Sequence, residues 1–318
     1  MGTYFSANRG VAMNKRGYIF SILTIFVVSI IAFTLMSYTE STQTEVYDHI
    51  ISTDRFIQQF EQDLPRALRI TSYRALLGLE EHVTSSGEYI VSIDKAFTEV
   101  LLNGTVNQTP YEVMQDSTLR VFEQRMQEIA SRIGLNFSVH VQNVSLEHIS
   151  PFELEVTSTI AVFVQTKDRE TAWNYTTNLS SSLSIEQLRD PLYAVETDGI
   201  VPNVVYQSDI VRPYITATND TTRLQELYNQ TLYVSDTQAP SFLMRFTGNM
   251  SASPYGIASL VDTKILDAQG IIVQTDRSIV DYLYFTTSTS TNSIVNMPSE
   301  FILDDDHLST YDAQQKTT

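Results

Sequence analysis

The stretch YIFSILTIFVVSIIAFTLMSY, residues 18–38, divides this sequence into parts that have to be read separately. Its 21 residues include no charge, proline or glycine. As an α-helix at ~1.5 Å per residue it would run about 30 Å, the thickness of a bilayer hydrocarbon core. Arg9, Lys15 and Arg16 precede it without any Asp or Glu among residues 1–17, while Glu40, Glu45 and Asp48 follow it. Basic before and acidic after predicts the N-terminus inside and the C-terminus outside. A cleaved secretory signal has a shorter apolar core and a small-x-small cleavage site, whereas this run ends in Leu35, Met36, Ser37 and Tyr38. The expected plan is a cytoplasmic leader over 1–17, a transmembrane helix over 18–38, and an exported remainder of about 280 of the 318 residues.

Beyond the apolar run the helical period continues. Val46, Ile50, Thr53, Ile57, Phe60, Leu64, Ala67 and Thr71 fall at steps of three and four, and Tyr47, Ile51, Phe56, Leu68 and Tyr73 widen the stripe. Pro65 lacks an amide hydrogen and predicts a kink or break near residues 61–65. Ile90, Ile93, Phe97 and Val100 predict a second helix closed by Asn103 and Gly104, and Leu119, Phe122, Met126, Ile129 and Ile133 a third between Ser117 and Gly134. The period then drops to two. Phe137, Val139 and Val141 alternate with polar residues, as do Leu154, Val156, Ile160, Val162 and Val164, and then Trp173, Tyr175, Leu179, Leu183 and Ile185. Three strands after helices predict an antiparallel sheet packed on helical residues, an α+β fold. Further strands are expected at 231–234, 271–274 and 279–285, with a short helix at 224–232. The regions that follow are a helical stalk over 39–135, a β-rich extracellular domain over 136–310 that divides into 136–198 and 199–310, and a flexible tail over 311–318.

Formal net charge is −17; setting aside the three basic residues before the apolar run leaves 17 Lys and Arg against 37 Asp and Glu, or −20. Such a surface repels phosphate backbones, which argues against nucleic acid as a partner. The absence of cysteine excludes disulfides, thiol catalysis, Fe–S clusters and Cys-ligated zinc. No phosphate-binding loop, dinucleotide fingerprint or Gly-x-Ser-x-Gly elbow occurs, so no cofactor is expected. Ser92 and Lys95 fit Ser-x-x-Lys, but no Lys-Thr-Gly accompanies them. Asp304, Asp305, Asp306 and His307 gather three carboxylates and an imidazole without calcium-loop spacing, which reads as an acidic helix start or a solvated turn rather than a Ca²⁺ site. His49, His82, His140, His148 and His307 show no metal-ligand spacing, so no metal site is expected. The 17 tyrosines suit a contact surface, since aromatic side chains give area at low entropy cost.

Of twelve asparagines beyond the apolar run, nine begin Asn-x-Ser/Thr: Asn103, Asn107, Asn136, Asn143, Asn174, Asn178, Asn219, Asn229 and Asn249. That proportion exceeds what Ser/Thr-rich composition alone would give, and it predicts an N-glycosylated exported domain.

Lys15, Arg16 and Gly17 ahead of an apolar helix resemble the class III signal peptide of archaeal type IV pilins and archaellins. The resemblance implies cleavage between Gly17 and Tyr18, and self-assembly through the N-terminal helix. The sequence departs from that pattern in starting the mature chain with Tyr18 and in placing Ile22 where the family often has Glu. An uncleaved signal anchor is the other reading of the same residues. The stretches LRDPLY (188–193), APSFLMRF (239–246), SPYGI (253–257) and DDDHL (304–308) resemble an uncharacterised family of archaeal membrane-anchored surface proteins, which implies a place at the cell surface and no known activity. Together these readings lead to a non-enzymatic, membrane-anchored archaeal cell-surface glycoprotein, structural or adhesive in role. An exported ligand-binding domain and an exported hydrolase with a dispersed active site are the alternatives.

Overall fold

A computed structural model of the protein describes residues 15–167, 169, 171–216, 219–286 and 289–315, with side chains described for 26–36 and from residue 51 onward within those bounds. The chain forms two compact units, residues 1–59 and 60–318. Helix α1 (Lys15–Ser86) begins in the first and ends in the second.

In the first unit every residue from 26 to 36 is exposed, with Phe26, Val28, Ile31, Phe33 and Leu35 among them. Among the described residues no helix is long and apolar enough to cross a membrane. Residues 18–25 and 37–38 of the apolar run lie outside the residues whose side chains are described.

In the second unit α1 buries one stripe, Phe60, Leu64, Leu68, Leu76, Leu79 and Val83. The expected break at Pro65 does not occur, and α1 runs through it. A proline inside a helix costs about 3 kcal/mol. Burying each leucine of the stripe returns about 1.5–3 kcal/mol, enough to keep the helix whole. Helix α2 (Ile93–Asn103) closes on Gly104, at φ 75°, whose N–H bonds the Val100 carbonyl at 2.8 Å. A tight hairpin, β1 (Thr105–Val106) with β2 (Thr109–Pro110), leads on to α3 (Leu119–Arg132). The cap of α3 is Thr118, which accepts from the Val121 N–H at 3.2 Å. Ser117, the expected cap, instead takes a hydrogen bond from Arg74.

Gly134, at φ 81°, turns the chain into a meander of long strands, β3 (Leu135–Ser150), β4 (Glu153–Thr166) and β5 (Ala172–Ser184), in the order β3-β4-β5 and all antiparallel. The alternation expected in β4 is present: Leu154, Val156, Ile160, Val162 and Val164 all face the core. A bulge between Val141 and Asn143 shifts the phase of β3, so that Leu146 rather than an odd-numbered residue turns inward. Helices and antiparallel sheet together make the α+β class.

From Ile185 onward the chain departs from the β-rich expectation. It is built of short helical turns, α4 (Pro191–Glu196), α5 (Thr222–Gln230), α6 (Phe242–Arg245), α7 (Thr263–Ala268), α8 (Asp281–Tyr284) and α9 (Asp305–Thr310). Between them lie two minimal strand pairs, β6 (Val234–Ser235) with β7 (Ile257–Ala258) and β8 (Asn292–Ser293) with β9 (Ile302–Leu303). The helix expected at 224–232 is α5. The strands expected at 271–274 and 279–285 are absent, and the second is replaced by α8. Its apolar residues are buried all the same, because side chains and turns satisfy the local backbone in place of a ladder. The tail expected from 311 is anchored to Gln315, with Tyr311 in the core and Gln315 bridged to Ile294; residues 316–318 lie outside the described residues.

At Gly256 two segments meet. An added Cβ would stand 2.1 Å from the Ala239 carbonyl oxygen and 2.2 Å from that of Asp236. The Gly256 carbonyl also accepts from the Asp236 N–H, so neither strand can back away without losing its bonds. Gly256→Ala is expected to destabilise the second unit by about 4 kcal/mol or more, the upper end for one substitution. Urea unfolding should show the loss, while Gly270→Ala, where nothing lies within 4 Å of the new Cβ, should cost only its positive-φ strain.

Candidate functional site

The antiparallel meander has two unlike faces. One packs on helices; the other carries Asn136, Ser138, His140 and Asn143 of β3, Thr159 and Phe163 of β4, and Asn174, Thr176 and Asn178 of β5. The strand register explains why four acceptor asparagines share this face. Ser138, Phe163 and Asn174 form one row, and Asn143, Thr159 and Asn178 another, the bulge in β3 having brought odd-numbered residues round to meet it. The acceptors stand on the two outer strands and none on β4. Outer strands present unpaired backbone groups to further pairing, and bulky polar substituents there would block it.

The nine acceptors differ from the other asparagines in two ways. All are exposed except Asn219, which is half-buried. In addition, none of the nine donates a hydrogen bond from its side-chain amide nitrogen among the described residues. Asn178 and Asn249 take part through the carbonyl oxygen, accepting from Thr159 at 2.9 Å and from the Ser251 hydroxyl at 2.7 Å. The three asparagines outside the triplets all use that nitrogen: Asn203 on Tyr233 at 2.8 Å, Asn292 on Asp305 at 2.7 Å and Asn296 on the Asn219 carbonyl at 3.0 Å. The amide nitrogen is the atom an N-linked sugar is attached to. Gly17 and Tyr18, the expected cleavage junction, fall in the first turns of α1, and their side chains lie outside the described residues.

Two clusters bring charged side chains together in the second unit. In the first, Arg245 is fully buried on α6. Its guanidinium meets Asp190 at 2.6 Å and Asp281 at 2.9 and 3.2 Å, and also donates to the Ile257 carbonyl. Asp190 caps α4 through the Leu192 N–H and takes the Tyr233 hydroxyl at 2.7 Å. Asp281 takes both the Ser259 N–H and its hydroxyl. Burial pushes the Asp190 carboxyl up, against the pull of Arg245, while the two carboxylates overcome burial and hold Arg245 in its charged form. No member reaches solvent, so the cluster joins segments rather than meeting a substrate. In the sequence Arg245 shows only as a lone charge inside the apolar run FLMRF.

The second cluster contains the DDDHL stretch. Asp304 caps α9, accepting from the His307 N–H at 3.1 Å, and Asp305 and Asp306 are exposed in its first turn, as an acidic helix start requires. His307 is buried, with Nδ1 2.8 Å from Asp304 and Nε2 3.0 Å from Asp236. Burial alone would lower its pKa; the two carboxylates outweigh burial and raise it to about 9. Asp304 moves the other way, to about 2: burial would raise it, and its bonds to His307 and Ser278 prevail. An imidazolium with both N–H groups committed to carboxylates has no lone pair for base catalysis. Among the described residues no group of three or more His, Asp or Glu is placed to hold a metal ion. Ser92 occupies the N-cap position of α2 and Lys95 is exposed.

Arg245→Met leaves two buried carboxylates without their cation and should cost about 3–5 kcal/mol; adding Asp281→Asn should recover part of that loss in chemical denaturation. The His307 cluster sets a pH window. His307, raised from 6.5 to about 9, contributes stability that is full below pH 6.5 and is lost as pH rises through 9. Asp304, depressed from 3.8 to about 2, contributes above pH 3.8 and loses its share as pH falls through 2. Thermal melts from pH 5 to 10 should show the gap between the parent and His307→Gln closing at the alkaline end. Glu80, which burial raises from 4.5 to about 8, adds its own fall between those values; Glu80→Gln should remove that fall and leave the His307 limb in place.

Compared with known proteins, the chain matches no family model and no curated protein.

Proposed function

We propose that this protein is a membrane-anchored, N-glycosylated protein of an archaeal cell surface with a structural or adhesive role and no catalysis of its own. The observation that carries the reading is the division among the asparagines. Among the described residues the nine in acceptor triplets keep the amide nitrogen uncommitted, and the three outside them spend it on internal bonds. A fold that used these residues only for solubility would have no reason to sort them by the residue two positions on.

Anchoring is supported by residues 26–36. Eleven consecutive exposed residues cover every side of a helix, and the apolar ones among them leave no polar face for water. Lipid satisfies such a surface, with Lys15 and Arg16 on the cytoplasmic side. On the pilin-like reading, residues 1–17 are removed and the helix from Tyr18 packs against other copies; on the signal-anchor reading they stay. The full burial of Arg245 and the commitment of both His307 nitrogens to carboxylates support a role without catalysis.

Glycopeptide mapping of the protein from its own host should find sugar on several exposed acceptors, with Asn136, Asn143, Asn174 and Asn178 among them. Nine bare asparagines would remove the reading's main support. Edman sequencing of the same sample should begin at Tyr18 if the leader is processed and upstream of it if the helix is a signal anchor. Protease added to intact cells should digest the chain beyond residue 40; a protected C-terminal part would overturn the orientation.

A further inference from the structure

The second unit has a groove with no evident structural use. One wall is a face of α1, with Arg66, Arg69, Tyr73 and Arg74; the other is the end of β5 and the turn after it, with Ser184 and Gln187. It encloses about 560 Å³, within the range of sites that hold small ligands. Positions 66, 69, 73 and 74 lie on one side of a helix, and Arg66 and Arg74 stand ~12 Å apart along its axis.

The charges in this groove run against the rest of the chain. Beyond the apolar run the protein has 20 more acidic than basic residues, as counted above, yet three arginines converge here. Like charges three or four residues apart on a helix repel one another. Among the described residues no acid lies within ion-pair distance of Arg66, Arg69 or Arg74. Arg66 and Arg69 are exposed and make no ion pair or hydrogen bond among the described residues. Arg74 donates to Ser117. Glu186 also lines the groove, but it lies beyond ion-pair distance of all three. The contrast with Arg245, which has every carboxylate it needs, indicates guanidinium groups kept for something from outside.

We propose that this groove binds a carboxylate-bearing saccharide chain. Guanidinium forks match carboxylates in bidentate geometry, and a row of them suits a polymer that repeats its charge along a line. Tyr73 lies between the arginines and provides a ring beside which a sugar can pack, with its hydroxyl unbonded among the described residues. Ser184 and Gln187, both exposed, offer hydroxyl and amide groups to sugar hydroxyls. This names a ligand for the adhesive part of the proposed function and rests on that reading only for the ligand's place at the cell surface.

The test is calorimetric titration of the full chain, held in detergent, with oligogalacturonate. Parallel titrations use its methyl ester, polyglutamate and inorganic phosphate. Saturable binding of oligogalacturonate is expected, weakening as salt is raised, at least tenfold weaker for the uncharged ester, and at least tenfold weaker in Arg66→Ala/Arg69→Ala. Both side chains are exposed and unpaired and alanine favours helix, so the variant should keep the parent's circular dichroism and melting temperature. No binding of oligogalacturonate, or binding that the double variant leaves unchanged, overturns the proposal. Polyglutamate or phosphate binding as tightly as oligogalacturonate overturns the saccharide assignment. None of these results depends on glycan occupancy or on where the N-terminus begins, so this proposal can fail while the proposed function stands.

Discussion

The second half of this protein depends on a buried cation paired with two carboxylates. Arg245 lies where a chain of short helical turns with almost no sheet must bring distant segments together, and its guanidinium reaches Asp190 and Asp281, 55 and 36 residues away. A charge removed from water costs several kcal/mol and is tolerated only where its partners are complete. Here the partners are themselves fixed. Asp190 is held by its capping of α4 and by Tyr233, Asp281 by Ser259. The polar network supplies directional constraints that a regular sheet would supply by its ladder. It also does so without a disulfide, in a chain that contains no cysteine.

The rest of the molecule shows the same logic with a different outcome. His307 is committed on both nitrogens, and Asn203, Asn292 and Asn296 have their amides engaged. These groups are part of the structure. The nine acceptor asparagines and the pair Arg66 and Arg69 also have side-chain N–H donors, and among the described residues they make no internal use of them. Polar groups at a surface are ordinarily satisfied by water, so one such group means little. A set sorted by residue type, by sequence context or by charge against the prevailing field carries information, because random surface composition would not sort it.

The meander separates these roles in space. Alternation at period two sends Leu154, Val156, Ile160, Val162 and Val164 to the core and leaves the opposite face polar. The bulge in β3 keeps Asn143 on that polar face although its number is odd and that of Asn136 even. Without the extra residue, the side chains beyond it would exchange faces, and Leu146 would be exposed in place of Glu147.

What the sequence alone determined is what depends on near neighbours. Helix α2 with its glycine stop, α3, the three strands and the acidic start of α9 are all legible because capping, turn chemistry and hydrophobic period act over a few residues. The acceptor triplets and the apolar run at 18–38 are local in the same sense. Tertiary structure decided the continuity of α1 through Pro65, the helical turn at 281–284 in place of a strand, and the anchoring of Tyr311. Each is an instance of burial outweighing a local preference. The same holds for the pairing of Arg245 with Asp190 and Asp281, of His307 with Asp236 across 71 residues, and for the groove where a helix face meets the end of β5. No pattern along the chain encodes which distant carboxylate will neutralise a buried cation. That choice is made when the segments pack, because only then does leaving water require each charge to have a partner.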